Sequence, residues 1–135
     1  MKKITVPANI AQLNHVLEFV NQGLIELDCP KKVQLQIDIA VEELFVNIAH
    51  YSYETIQGDT TISLEALSEC SGVTLTFEDS GKPYNPLEQS DPDITLSAAE
   101  REIGGLGIFM VKKTMDTLSY RNENGSNILT ISKKW

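Results

Sequence analysis

Between Ile37 and Ile48 the chain is almost unbrokenly apolar, and its interruptions include a carboxylate, Glu43, and an amide, Asn47. Ile37, Ile39, Ala40, Val41, Leu44, Phe45, Val46 and Ile48 surround a helix rather than lining one stripe of it. A helix apolar most of the way round is largely buried. It needs packing partners on several sides, and the rest of a 135-residue chain must supply them. That length suits a single domain, residues 1–135, with one core.

Periodicity gives the remaining elements. Residues 2–6 alternate weakly through Ile4 and Val6, a short edge strand closed by Pro7. Residues 8–27 carry Ile10, Leu13, Val16, Leu17, Val20, Leu24 and Leu27 at helical spacings, an amphipathic helix ended by Pro30. The apolar helix then covers residues 31–54. Gly58 and Asp59 turn the chain into a strand over 60–68. Ser71 and Gly72 turn it back into a partner strand over 73–79, completing a hairpin. Residues 80–104 hold Pro83, Pro86, Pro92, Gly81 and Gly104 and few large apolar side chains. A loop of that length is uncommon in a compact domain and is usually functional. Ser97 and Glu100 offer a capping box for a short helix inside it. A third helix follows over 106–118. Strands over 118–123 and 127–133 close the chain around Asn124-Gly125, a strong hairpin signal. The order β-α-α-β-β-loop-α-β-β predicts an α/β two-layer sandwich, its helices on one face of a mixed, mostly antiparallel sheet.

Composition excludes several function classes. Apolar residues make up 41% and charged residues 22%, as in ordinary globular proteins. Lys and Arg number 11 against 19 Asp and Glu, a net charge of −8. An acidic surface repels phosphate backbones, so direct nucleic-acid binding is not expected. There is no apolar run of about 18 residues to cross a membrane, and the N-terminus lacks a signal peptide's apolar region. Cys29 and Cys70 have no C-x-x-C spacing. They make neither a disulfide scaffold nor a cysteine zinc site, and they fit a reducing, cytoplasmic setting.

Three places carry chemistry. Glu43 and Asn47, four apart, share one helical face. Beside an apolar surface such groups cost several kcal/mol, in rough terms, unless paired. Facing a cleft, the amide oxygen can ligate a cation such as Mg²⁺ and the carboxylate can act as a general base. Taken alone, the pair is more readily a solvated stripe. Glu42 points to another face and is the weaker candidate. The second place is Phe77-Glu78-Asp79-Ser80-Gly81, where an alternating strand ends in a carboxylate able to accept an exocyclic amine such as that of adenine. Alone it reads more readily as a turn, which Asp, Ser and Gly favour. The third is Gly104-Gly105-Leu106-Gly107 at a helix start. Free backbone N–H groups there suit a phosphate, and a flexible hinge is the equal alternative. The segment is neither a Walker A loop nor a dinucleotide fingerprint. His15, His50 and the terminal Trp135 are isolated, and Lys112 and Lys113 suit a solvated face.

Together the three places are specific. The chain resembles the GHKL (Bergerat-fold) ATP-binding superfamily: Glu43-x-x-x-Asn47 resembles its N-box, Asp79-Ser80-Gly81 its D-x-G box and Gly105-Leu106-Gly107 its G-x-G box. The stretches A-V-E-E-L-F-V-N-I-A-H-Y-S-Y-E, F-E-D-S-G-K-P-Y-N-P and G-G-L-G-I-F-M-V-K-K-T-M-D are similar to the anti-sigma factor serine kinases of the RsbW and SpoIIAB type, a likeness that runs from Lys3 to Lys133. The resemblance implies ATP and Mg²⁺ as cofactors. It implies Glu43 as general base toward a serine hydroxyl, Asn47 as Mg²⁺ ligand and Asp79 as acceptor of the adenine amine, with Gly81 giving the ring space. It implies Gly105, Leu106 and Gly107 at the phosphates and residues 82–104 as a lid. The implied partners are a small anti-sigma factor antagonist as substrate and a sigma factor held inactive, and the implied assembly is a homodimer paired through sheet edges.

The chain departs from that pattern in two places. Family members commonly carry an arginine just before the glycine box; here Ile103 stands there and Arg101 lies upstream, the candidate to reach the terminal phosphate. The histidine after the N-box is His50, one place early. A serine kinase is the leading expectation. An ATP-binding module that regulates a partner without phosphoryl transfer is the alternative.

Overall fold

The alternating segments pair into one five-stranded sheet in a computed structural model that describes residues 1–53, 57–88 and 105–135. The strands are β1 (Lys2–Pro7), β2 (Asp59–Ala66), β3 (Gly72–Asp79), β4 (Thr117–Glu123) and β5 (Ser126–Lys134), ordered β1-β2-β3-β5-β4. The expected mostly antiparallel sheet is antiparallel at each described pairing. β1 is an edge strand, where a closing proline leaves no ladder bond unmade. Asn124 (φ 52°) and Gly125 (φ 82°) both take the left-handed conformation that a tight turn between twisted strands requires.

Period-two alternation sorts the strand residues onto two faces. Ile62, Leu64, Val73, Leu75, Phe77, Leu129 and Ile131 are buried under the helical layer. That layer comprises α1 (Leu13–Glu26), α2 (Lys31–Asn47) and α3 (Gly105–Thr114), with α2 packed against both of the others. Ile37, Ala40, Val41, Leu44 and Phe45 of α2 are fully buried and join Val16, Val20 and Leu24 of α1 and Ile108 and Val111 of α3 in one core. α1 comes so close to the sheet that a β-carbon on Gly23 would lie 2.6 Å from a Leu64 methyl.

Element ends differ from the sequence expectations for local reasons. The segment expected to be helical from residue 8 opens with a 3₁₀ turn (Ile10–Gln12), whose Ala11 N–H is capped by the Asn9 side chain at 2.8 Å. α1 ends before Pro30: Asp28 adopts φ 57°, and the Cys29 and Asp28 N–H groups donate back to the Leu24 and Ile25 carbonyls, the Schellman arrangement. The helix expected over 31–54 is α-helical only to Asn47 and continues as a wider π-helical turn over Ile48–Ser52. α2 is also less buried than an all-round apolar helix suggests. Its outer edge, away from the sheet and between its two neighbours, leaves Leu35 62% and Ile39 54% exposed. α3 stops at Thr114 because β4 already begins at Thr117.

Candidate functional site

The site lies where the helix-facing side of the sheet turns from apolar to polar. Ile4, Ile62, Phe77, Leu129 and Tyr120 form one row across the strands. The next row toward the sheet's end reads Val6, Thr60, Asp79, Asn127 and Asn122. Thr60, Asp79 and Asn127 are at most 4% exposed, and Asn47 and Ser52 close over them from the end of α2 and the π turn, equally buried. Buried polar groups survive only when hydrogen-bonded, and these bond mostly to one another or to nearby backbone.

Asp79 Oδ1 accepts from the Gly81 N–H at 2.9 Å and from Asn127 Nδ2 at 3.0 Å. Burial raises the Asp79 pKa above the usual carboxylate value, against the opposing pull of Asn127, the Gly81 N–H and Ser52. Asn127 is the hub. Its Nδ2 also donates to the Lys82 carbonyl at 2.9 Å, and its Oδ1 accepts from Tyr120 Oη, from Asn122 Nδ2 at 3.1 Å and from the Tyr84 N–H at 3.4 Å. One amide thus ties the end of β3 to the chain that follows it. The π turn contributes its Ser52 carbonyl, which accepts from the Lys82 N–H at 2.9 Å. That carbonyl lies where a β-carbon of residue 81 would be, so the position requires glycine for packing against the π turn.

Glu43 and Asn47 face the same way, as their spacing predicts. Asn47 Nδ2 donates to the Glu43 carbonyl at 2.7 Å and to Glu43 Oε1 at 3.0 Å. The Glu43 carboxylate presses on Gly107 in the first turn of α3, and any β-carbon there would overlap it. Asn47 Oδ1 accepts from Tyr84 Oη at 3.3 Å, and the Tyr84 ring stacks on Tyr51 at 4.8 Å with planes 22° apart. Asn47, Ser52, Asp79, Tyr84, Tyr120 and Asn127 line one small cleft.

The fold therefore brings Glu43, Asn47 and Gly107 together, and Asp79 and Gly81 beside them, from three separate stretches of sequence. Gly105 opens α3 as expected. Arg101, Gly104 and the capping box expected at Ser97 and Glu100 lie outside the described residues, as does the expected lid beyond Glu88, and nothing is described of the Leu106 side chain. Asn127, Ser52, Tyr84 and Tyr120 escape the motif reading. Asn127 does leave a signal: it alternates with Leu129 and Ile131, which places an amide on the buried face of a strand.

The donors present fit a nucleotide that brings its own cation. Asn47 and Glu43 offer hard oxygen donors, yet no group of three His, Cys, Asp or Glu able to hold a metal occurs among the described residues. Mg²⁺ characteristically takes one or two protein oxygens and completes its shell with phosphate and water. A buried carboxylate at the cleft wall suits an amine donor, because charge-assisted hydrogen bonds are the stronger kind.

A five-stranded antiparallel sheet covered on one face by helices, with a polar cleft at one end, defines a two-layer α/β sandwich. The chain belongs to the histidine kinase-like ATPase domain family, whose profile matches residues 6–133. It is similar to the anti-sigma F factor of Clostridium perfringens, 26% identical over 132 residues that make up 98% of this chain and 84% of that protein. It is also similar to the serine/threonine-protein kinase BtrW of Bordetella bronchiseptica, 25% identical over 101 residues, 75% of this chain and 70% of that one. The histidine kinase domain of a blue-light activated histidine kinase from Erythrobacter litoralis shares the fold, with a TM-score of 0.56 and 15% identity over 96% of this chain and 61% of that one. No helix among the described residues is long and apolar enough to cross a membrane.

Proposed function

We propose that this chain is an ATP-dependent protein serine kinase of the anti-sigma factor type. Its substrate is a small anti-sigma factor antagonist, and a sigma factor is the protein it holds inactive. The observation that carries the reading is the place of Glu43. Its carboxylate sits between Asn47 and the first turn of α3, beside the cleft that Asp79 lines rather than within it. A base in that position serves an incoming hydroxyl, not the nucleobase. The similarity to an anti-sigma F factor and to BtrW supports the same class of partner.

In this reading Asp79 accepts the adenine amine, Asn47 Oδ1 ligates the cation, and Gly105, Leu106 and Gly107 present backbone N–H groups to the phosphates. Bound Mg·ATP supplies the phosphoryl group and the charge neutralisation on which phosphoryl transfer chiefly depends. Glu43 takes the proton of the partner's serine hydroxyl as its oxygen attacks the terminal phosphorus and ADP leaves. Arg101 is the proposed cation for the terminal phosphate. The chain works as a homodimer.

The test is incubation with terminally labelled ATP, Mg²⁺ and the partner recovered from the native cell. Label on a partner serine supports the kinase. Saturable ATP binding with no transfer supports the second reading, a regulatory module that binds ATP and a partner without phosphorylating it. Ile103 in place of an arginine favours that reading.

A further inference from the structure

We infer that Tyr53 is a positioning residue for base recognition: it aims Asp79 by holding the end of β3 one hydroxyl away from β2. The inference rests on the proposed ATP reading and adds to it a residue outside the cleft. In the register that pairs Thr60 with Asp79, the next pair outward would be Asp59 and Ser80. The Tyr53 hydroxyl stands between those two. It accepts from the Ser80 N–H at 2.8 Å and donates to the Asp59 carbonyl at 2.9 Å. One phenol thus bridges the strands where a direct bond would extend the ladder. β3 leaves the sheet here, and Asp79 is its last residue.

The bridge fixes the peptide that joins Asp79 to Ser80. The next N–H along, that of Gly81, donates to Asp79 Oδ1 at 2.9 Å, so the direction of the carboxylate depends on where Ser80 is held. Without the hydroxyl, the Ser80 N–H and the Asp59 carbonyl either close on each other or lose a partner. Either way Ser80 is no longer held at its present place, and a displacement of about 1 Å is enough to loosen a recognition geometry. Burial raises the Tyr53 pKa, against the pull of the Ser80 N–H and with the nearby Asp79 and Asp59 charges, which keeps the proton that Asp59 accepts. The ring does not line the cleft. It walls a separate cavity of about 320 Å³ together with Pro7, Ala8 and His50, and a β-carbon on Gly58 would overlap it. Tyr53 acts on a nucleotide through Asp79 and not by touching it.

The test is calorimetry on the full chain with Mg²⁺, comparing ATP with purine riboside triphosphate, which is ATP without its exocyclic amine. The wild type is expected to prefer ATP by about 10- to 100-fold, the scale of a hydrogen bond to a charged group. In Tyr53→Phe that ratio is expected to fall by about fivefold or more, the scale of one lost hydrogen bond. A merely structural role would weaken both nucleotides together and leave the ratio as it was. An unchanged or raised ratio in Tyr53→Phe therefore overturns the inference. Should that variant fail to fold, Gly58→Ala, which displaces the ring and leaves the hydroxyl, takes its place with the same expectation. A wild type that binds both nucleotides equally removes the role assigned to Asp79, and one that binds neither removes the ATP reading; this inference falls with either.

Discussion

Asp79 is a buried carboxylate whose charged form costs the fold stability. Its pKa is raised by burial, so the folded chain holds that proton more tightly than the unfolded chain does. Between the unfolded value, about 3.9, and the raised folded value, rising pH strips the unfolded chain first, and stability falls. Asp79→Asn removes the charge but keeps an oxygen for Gly81 and Asn127. The nucleotide-free variant should therefore melt higher than wild type at neutral pH, by a margin that shrinks toward acid, while its ATP affinity drops at least tenfold. Melting curves at several pH values and calorimetry check both halves. Glu43→Gln should keep ATP affinity within about threefold yet cut transfer to a partner by 10²-fold or more, the scale of a lost general base. Comparable losses of affinity in the two variants would reverse the assigned roles. At this scale Glu43, Asn47 and Asp79 were legible because each breaks an apolar pattern in a place where a break is costly. Tyr84 was not, since nothing local links a tyrosine in a proline-rich loop to an amide on α2. The ring space expected at Gly81 is where the Ser52 carbonyl packs, a contact that no spacing encodes.

Among the elements, boundaries depended on conformations that hydrophobic periodicity does not carry. The hairpin at Asn124-Gly125 was readable because both residues tolerate the left-handed conformation it needs. The end of α1 was readable to within a residue, but its left-handed cap was not, because Asp28 holds that conformation without being glycine. An exposed Asp at φ 57° carries a steric penalty that glycine escapes. Asp28→Gly should accordingly stabilise the chain by up to about 1 kcal/mol and leave ATP binding untouched, as denaturant titration and calorimetry would show. Within α2 the core positions were legible from their clustering, and Leu44→Ala at a fully buried site should cost about 2–5 kcal/mol. Ile39 went the other way. It belongs to the apolar run but looks outward, because periodicity records which residues are apolar and not how many neighbours the helix will have.

Across the whole molecule, the order of elements specified the sandwich, and the register specified where the cleft would open. Sequence patterning gave the first; the second needed strands distant in sequence to align Thr60, Asp79, Asn127 and Asn122 in one row. Ligand binding to such a row should be felt globally. ATP with Mg²⁺ at about 100 times its dissociation constant should add about 2.7 kcal/mol to the unfolding free energy, and a melting temperature indifferent to ATP would contradict the proposed function.

The π turn over Ile48–Ser52 makes chain length itself a functional variable. A π turn holds an additional residue compared with the α-helix that leads into it, so Ser52 arrives out of phase with the seam that Ile37 to Phe45 laid down. That offset is what delivers its carbonyl to the Lys82 N–H and against Gly81. Deleting Ala49 would let the helix run on in α phase and would improve its local hydrogen bonding. It would also rotate Ser52 away from the end of β3 and leave the Lys82 N–H without its acceptor. The shortened chain should keep its helical circular dichroism and lose its stabilisation by ATP. Loss of a single residue here would thus separate the fold, which survives, from the proposed ATP site, which does not.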